Sequence, residues 1–269
     1  MGKYSVIFLS LKGIDGLSFE AAKYRLTELI GVEAERFAFL ADSEKLTENE
    51  RSKYRAIIHL VNGKYSMDED MLVSSLQTLS QLLCRHYGQK AIILIDEYDV
   101  PLDKAFQHGY YKEMVSLIRG LFGQALKTND DLQFAVLTGC LRVSKESIFT
   151  GTNNFVSDTI TNSRLNEYFG FVQHEVDQLL LSADFTDKAS AMKEWYDGYH
   201  FGTFDVYCPW DVMNYLLELQ RNPQASPVSY WKNTSDNAII RSFIDYAGSS
   251  ITKKLETLMA GGSIFAACG

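Results

Sequence analysis

The sequence has few positive charges for its length, and they are not clustered. Its 269 residues carry 26 Lys and Arg against 34 Asp and Glu, which gives a formal net charge of -8. A protein that follows a nucleic-acid backbone usually presents a basic stripe, and no run rich in lysine or arginine is present. Nucleic acid is therefore not indicated as a partner of this chain.

Signatures of export, membrane insertion and zinc binding are also missing. No uninterrupted apolar run reaches about 18 residues, and no charged-then-apolar segment begins the chain, so no membrane partner is predicted and the cytoplasm is the default location. The four cysteines show no C-x-x-C pair, and the five histidines have no paired spacing suited to zinc. Three of the cysteines stand in apolar or aromatic surroundings, which predicts buried free thiols.

Three short apolar runs predict the strands of a parallel sheet. They cover residues 6–9, 91–95 and 132–138, and helical periodicity fills the sequence between them. One long helix is predicted to begin after Asp68 and to end at Gly88, which suits a left-handed cap. Alternating strands and helices imply parallel pairing through right-handed crossovers, with strands buried on both faces.

The character of the sequence changes near residue 170. Helical patterns then dominate at residues 175–181, 187–196, 210–219 and 238–246, with an aromatic, glycine-rich stretch at 195–202. The predicted organisation is an α/β domain over residues 1–170 and a small, mainly helical domain over 171–269. We expect the aromatic stretch to pack the small domain and fix a β-hairpin or wing, in preference to stacking bases.

The second strand closes on two acids, a pattern typical of a Walker B element. A rigid strand delivers Asp96 and Glu97 at its carboxyl end, the edge of open α/β sheets where ligands bind. Asp96 would hold Mg²⁺, and Glu97 would orient and deprotonate the attacking water. Two acids that merely end a strand and face solvent give the same pattern, and composition alone favours neither interpretation.

The strand that follows also ends in residues suited to a phosphate site. ATPases with a Walker B strand place a sensor side chain at the position of Thr138. A strand-end threonine that only satisfies its own hydroxyl would have the same position. Arg142 and Lys145 lie on the next loop, where they could meet a phosphate or remain solvated.

Several long blocks in the same order resemble the bacterial AAA-ATPase-like family over residues 4 to about 264. They read IILIDEYDVP (92–101), TGCLRVSKESIFTGTNN (138–154), YFGF (168–171), WYDGYHFG (195–202) and YCPWDV (207–212). The resemblance implies an ASCE-type P-loop NTPase core with a small helical lid or winged-helix-like domain, in some members followed by a PD-(D/E)XK nuclease-like domain. It also implies the Mg²⁺-site acid at Asp96, the catalytic base at Glu97 and the sensor at Thr138, with much less specific roles for Arg142 and Lys145.

The family's phosphate-binding loop, G-x-x-x-x-G-K-[ST], does not occur in these 269 residues. Gly-Lys occurs twice, at Gly2 and Gly63, each time followed by tyrosine, and no nuclease-like domain follows the lid. The resemblance therefore implies a fragment of an ATPase whose intact parent uses ATP and Mg²⁺. For the chain itself we expect weak or no ATP binding and no firm cofactor. An apolar patch should be exposed where the missing strand and helix belong, and self-association is the hypothesis that follows.

Two other functions stay open at this point. One is an interaction module of the same fold that has lost catalysis. The other is a hydrolytic metal site built from Asp96, Glu97 and Asp99. The second is weaker, because a two-metal nuclease usually draws its acids and a lysine from separate strands.

Overall fold

The computed structural model describes residues 2–127, 129–140, 155–159 and 162–231, and eight residues between 253 and 264. The chain divides into two compact units, Met1–Phe155 and Val156–Gly269. This division lies before the domain boundary that the sequence suggests near residue 170, and that domain assignment stays a prediction. Among the described residues, no helix combines the length and the apolar character needed to cross a membrane.

The first unit is a mixed α/β structure. Its strands are β1 (Val6–Ser10), β2 (Leu60–Val61), β3 (Lys64–Tyr65), β4 (Ala91–Asp96) and β5 (Leu132–Leu137). Its helices are α1 (Phe19–Glu35), α2 (Glu48–Ile57), α3 (Glu69–Tyr87), α4 (Val100–His108) and α5 (Tyr111–Phe122), and a π-helical turn, Gly123–Lys127, extends α5.

The main sheet confirms the predicted fold class. It has the order β1-β4-β5, with parallel pairing on both sides of β4. In the register, Ile7 lies beside Ile93 and Ser10 beside Asp96. The strand that ends in the two acids is thus the central one, and its carboxyl end has a neighbouring strand end on each side.

The capping residues and the leucine spacing of α3 explain why this segment forms a helix that packs on the sheet. The Asp68 side chain accepts a hydrogen bond from the Met71 N–H at 2.7 Å, which satisfies one of the free donors of the first turn. The helix ends at Gly88, whose φ of 70° is the left-handed conformation predicted for it. Between these caps, leucines at three- and four-residue spacing are buried against the sheet, namely Leu72, Leu76, Leu79, Leu82 and Leu83.

The two faces of the sheet are covered unequally, which corrects the prediction of strands buried on both faces. Ile7 and Ile93 are fully buried on the face that contacts α1 and α3. On the opposite face, Phe8, Phe134 and Val136 remain 46%, 48% and 46% exposed. These exposed side chains form an apolar patch on that face of the sheet.

The described residues of the second unit form helices and one β-hairpin. It contains α6 (Gln173–Ser182), α7 (Ala189–Tyr196), β6 (Asp197–Phe201), β7 (Phe204–Tyr207) and α8 (Pro209–Arg221). The hairpin is the one expected from the aromatic stretch, and it turns at Gly202 with a φ of 60°. Tyr196 and Tyr207 are buried in the core of this unit, whereas Trp195 and Tyr199 are about half exposed. The helix predicted at 238–246 lies outside the described residues.

Alanine substitution of two glycines with different surroundings tests how tightly α1 packs at Gly31. A Cβ added to Gly31 would lie 2.3 Å from the Tyr65 ring, whereas one added to Gly123 meets nothing within 4 Å. We expect Gly31→Ala to lower the free energy of unfolding by about 1–3 kcal/mol through overpacking. Gly123→Ala, at a helical φ of -58°, should raise it by roughly 0.5–1 kcal/mol. Urea denaturation followed by circular dichroism measures both, and equal midpoints would contradict this packing.

Candidate functional site

The candidate site lies where the three parallel strands of the main sheet end. Ser10 closes β1, Asp96 closes β4, and Thr138 directly follows β5. Carboxyl ends of parallel strands form one edge, and ligands of open α/β sheets bind outside that edge. Two residues singled out from the sequence, Asp96 and Thr138, are thereby brought together, and Ser10 is a third polar side chain that sequence reasoning missed.

Thr138 is bonded to both sides of the acidic turn. Its hydroxyl donates to Asp96 Oδ1 at 2.5 Å, and its backbone N–H donates to the Ile95 carbonyl at 2.9 Å. Its own carbonyl accepts from the Tyr98 N–H at 3.0 Å. The hydroxyl of Thr138 thus has a specific partner, and one residue fixes the position of the turn that carries Asp96 and Glu97.

Glu97 has an unusual backbone conformation for a side chain of its size. Its φ is 54°, in the left-handed region, and such a conformation costs a non-glycine residue roughly 1–2 kcal/mol. A regular strand would send the side chains of Asp96 and Glu97 to opposite faces. The left-handed Glu97 ends that alternation directly after the strand, whose last residue is Asp96. No sequence pattern predicts this.

Asp99 is a third acid at this place, and it is only 4% exposed. Its backbone carbonyl accepts hydrogen bonds from the N–H groups of Leu102 and Asp103, which starts α4. Its side chain lies against Gly139, where an added Cβ would be 2.5 Å from Asp99 Oδ1 and 2.8 Å from the Tyr98 ring. The glycine after Thr138 is therefore required by close approach, and its only signal in the sequence is its place at the strand end.

The pKa of the Cys140 thiol is affected by the negative charges of the site. Partial burial of the sulfur, followed by the carboxylates of Asp99, Glu97 and Asp96, raises the pKa of the Cys140 thiol. The residue itself is exposed. All three acids are close enough to act on one sulfur, which supports their grouping.

The remaining sequence-predicted residues are not placed. Arg142 and Lys145 lie outside the described residues. Within the described ranges, no group of three or more His, Cys, Asp or Glu side chains is arranged to hold a metal ion. What the site offers to a metal is a set of oxygens on neighbouring strand ends: the Asp96 and Glu97 carboxylates and the Ser10 and Thr138 hydroxyls. Oxygen ligands of this kind fit Mg²⁺, which usually binds one or two carboxylates and keeps several waters.

Comparison with known proteins places the chain in context. A family model described as "Predicted AAA-ATPase" matches residues 1–149, a range that includes all three strand ends. A protein described as "Uncharacterized protein in vnfD 5'region", from Azotobacter chroococcum mcd 1, is 26% identical over 181 residues. That alignment covers 67% of this chain but 34% of the relative, so the chain spans about a third of its length. No solved structure gives a significant match.

The thiol of Cys140 provides a test of the acidic grouping. Removing one carboxylate with Asp96→Asn or Glu97→Gln lowers the negative potential at the sulfur and so lowers the pKa of the thiol. At about pH 8, below the usual thiol pKa of about 8.5, each change should increase the rate of Cys140 alkylation roughly twofold or more. Mass spectrometry of iodoacetamide-treated protein measures the rate.

Cys84 is the internal control for that experiment. The charged groups that act on its thiol are Asp131, Lys90 and Arg85, none of them part of the site. Its alkylation rate should be the same in all three proteins. Unchanged alkylation of Cys140 in both variants would show that the acids do not share one location.

Proposed function

Because the chain belongs to the family described as predicted AAA-ATPases, we propose that it is the metal- and sensor-bearing part of an ATP-hydrolysing protein. The intact protein would bind ATP with Mg²⁺ and cleave its terminal phosphate bond. The chain spans about a third of the length of the relative it matches, so this activity is proposed for the longer protein. For the 269 residues alone we propose weak nucleotide binding and negligible turnover.

The hydrogen bond from Thr138 to Asp96 is the observation that carries the proposal. A strand-end threonine that only satisfied its hydroxyl could bond to any nearby carbonyl. Here its partner is a carboxylate oxygen on the neighbouring strand, at 2.5 Å, while the backbone of Thr138 holds the residues on either side of the turn. Thr138 is itself exposed, so a ligand can reach this pair from solvent.

The side chains then have distinct roles. The Asp96 carboxylate would be the protein ligand for Mg²⁺, with its orientation fixed by the Thr138 hydroxyl. The metal supplies neutralisation of phosphate charge. The Glu97 carboxylate would accept the proton of the attacking water, and the rigid left-handed turn keeps it in place before substrate arrives. The Thr138 hydroxyl would switch its hydrogen bond between Asp96 and the terminal phosphate, and in this way it would sense that phosphate.

The weak activity proposed for this chain follows from the role of the phosphate-binding loop in holding a nucleotide. Most of the affinity for the phosphates comes from a nest of backbone N–H groups and a lysine in a G-x-x-x-x-G-K-[ST] loop, a sequence that these residues do not contain. That loop also supplies the second protein oxygen of the Mg²⁺ site. The strand ends described here would therefore contact a bound Mg-nucleotide only through the metal and sensor side of the site.

The exposed sheet face favours a second candidate, an interaction module without catalysis. Phe8, Phe134 and Val136 are large apolar side chains left half exposed on one face, and clustered exposed apolar groups mark interaction sites. This candidate makes no use of the ordered Thr138–Asp96 pair. The two functions therefore differ in whether substitution of Asp96 affects a binding event.

Calorimetric titration of Mg-ATP into the purified chain tests the proposal. We expect saturable binding in the millimolar range that Asp96→Asn weakens roughly tenfold or more, because a charged metal ligand is lost. Thr138→Val should weaken it less, since only the orientation of Asp96 is lost.

Asp42→Asn is the matched control, because the Asp42 side chain is 93% exposed in the same unit and the substitution removes the same charge. It should leave the affinity unchanged. An absence of heat at millimolar nucleotide, or equal weakening by Asp42→Asn, would contradict the proposed site and leave the interaction module.

A further inference from the structure

Among the described residues, the ends of β4 and β5 contribute acids and hydroxyls to the candidate site but no cation. The carboxylates of Asp96, Glu97 and Asp99 all act on the Cys140 thiol, so their negative charges lie close to one another. A triphosphate is itself strongly negative, and sites of phosphoryl transfer add a lysine or an arginine to the metal to balance that charge. A cation that the fold holds at this edge would therefore complete the site.

The segment that follows β1 carries a lysine at this edge. Ser10 ends β1 beside Asp96, and the next three residues, Leu11–Gly13, form a single 3₁₀ turn with Lys12 at its centre. This turn contacts both β4 and α4. The acidic turn at Glu97 joins those same two elements, so the lysine turn and the acidic turn are neighbours at one end of the sheet.

Chain geometry limits the distance between the lysine and the metal-site acid. Neighbouring strands lie about 4.8 Å apart, and two further residues extend a chain by at most about 7 Å. Since Ser10 is paired with Asp96, the Cα atoms of Lys12 and Asp96 are less than about 12 Å apart. An ammonium on a four-carbon stem spans much of this distance towards a phosphate bound over Asp96.

The backbone on both sides of Lys12 is fixed. The side chains of Leu11 and Ile14 are buried in the core, and the Ile14 N–H donates to the Leu11 carbonyl at 3.0 Å, which closes the turn. The Arg25 guanidinium of α1 donates to the Gly13 carbonyl at 3.3 Å. The turn is therefore tied to both the core and α1.

The rest of the loop is held as firmly. The Tyr110 hydroxyl donates to the Gly16 carbonyl, and a Cβ added to Gly16 would lie 2.3 Å from the Ala22 nitrogen of α1. Arg25 is also paired with Asp15 at 2.5 Å, so its own charge is already balanced. The loop thus presents its lysine from a backbone that is ordered before any ligand binds.

The Lys12 side chain is exposed and makes no ion pair or hydrogen bond to another described residue. Other lysines of the same unit are engaged. Lys23 pairs with Glu69 at 2.9 Å, and Lys45 donates to the His86 carbonyl at 2.7 Å. Within the described residues, the Lys12 ammonium is therefore available to an anionic ligand at the edge where the acids would hold a metal.

Resting on the function proposed above, we propose that Lys12 binds the terminal phosphate of the nucleotide and selects a triphosphate over a diphosphate. Because β4 is the central strand, a phosphate over Asp96 has the Thr138 hydroxyl on the β5 side and the Lys12 ammonium on the β1 side. The ammonium adds a charge-assisted hydrogen bond that a hydroxyl cannot supply. A diphosphate leaves this ammonium without its partner.

Affinity labelling locates the contact. The probe is ATP whose terminal phosphate carries a pyridoxal group, since its aldehyde condenses with a nearby lysine amine and borohydride reduction fixes the product. With Mg²⁺ present, we expect peptide mass spectrometry to find the label on Lys12 and Mg-ATP to suppress it several-fold. Lys90 is the internal control, because it directly precedes β4 and so lies at the opposite end of that strand. Mg-ATP should not protect it.

Nucleotide titration measures the selection. Lys12→Met removes the charge and keeps an unbranched side chain. We expect it to weaken Mg-ATP binding about tenfold, through the lost charged hydrogen bond, and to leave Mg-ADP binding unchanged. Lys90→Met is the matched control and should leave both affinities unchanged. Circular dichroism verifies that both variants fold.

The outcomes separate this inference from the proposed function. No Mg-ATP binding by the unmodified chain would contradict both. Binding that Asp96→Asn weakens and Lys12→Met leaves unchanged would overturn the role of Lys12 alone, as would a label that Mg-ATP displaces from a different lysine. Equal weakening of Mg-ATP and Mg-ADP by Lys12→Met would overturn the contact with the terminal phosphate.

Discussion

The candidate site depends on one junction, the hydrogen bonds that join the end of β5 to the end of β4 through Thr138. A buried strand ending in acids does not by itself make a site, because the chain beyond it is free to turn in many ways. Here the Thr138 backbone holds Ile95 and Tyr98, and its hydroxyl holds Asp96. Without these bonds the left-handed turn at Glu97 would lack the support that such a conformation requires.

The packing of the first unit explains why this junction is rigid. Fully buried residues such as Ile93 anchor β4 against the helices on one face, and Gly139 lets the Asp99 side chain approach the backbone after β5. On the opposite face, Phe134 is about half exposed. The site lies at one end of this sheet, and by strand alternation the Asp96 side chain lies on the same face as Val136.

Much of the fold could be predicted from the sequence, because its signals are local. Apolar runs marked the three strands, and Asp68 and Gly88 marked the ends of α3 through capping chemistry that needs no tertiary context. The paired acids and Thr138 could be placed at one sheet edge, since parallel strands end together. The start of α4 after Asp99 was missed, although Pro101 in its first turn is a recognised signal.

The unpredicted features come from contacts distant in sequence. The exposure of Phe8 depends on which helices cover the sheet, and periodicity cannot decide this for a short apolar run. The positive φ of Glu97 depends on Thr138, a residue far along the chain. The buried Glu33 side chain on α1, which accepts a hydrogen bond from the Phe8 N–H of β1, has no signal at all, because a glutamate on a helix normally predicts a solvated face.

Paramagnetic broadening by Mn²⁺ tests the central claim most directly, that the ends of β4 and β5 form a metal-nucleotide site. In an amide NMR spectrum recorded with Mn-ATP, we expect broadening centred on Asp96, Glu97, Thr138 and Gly139. The effect should disappear in Asp96→Asn. Broadening centred instead on exposed acids such as Asp42, or no localised broadening with saturating Mn-ATP, would contradict the account.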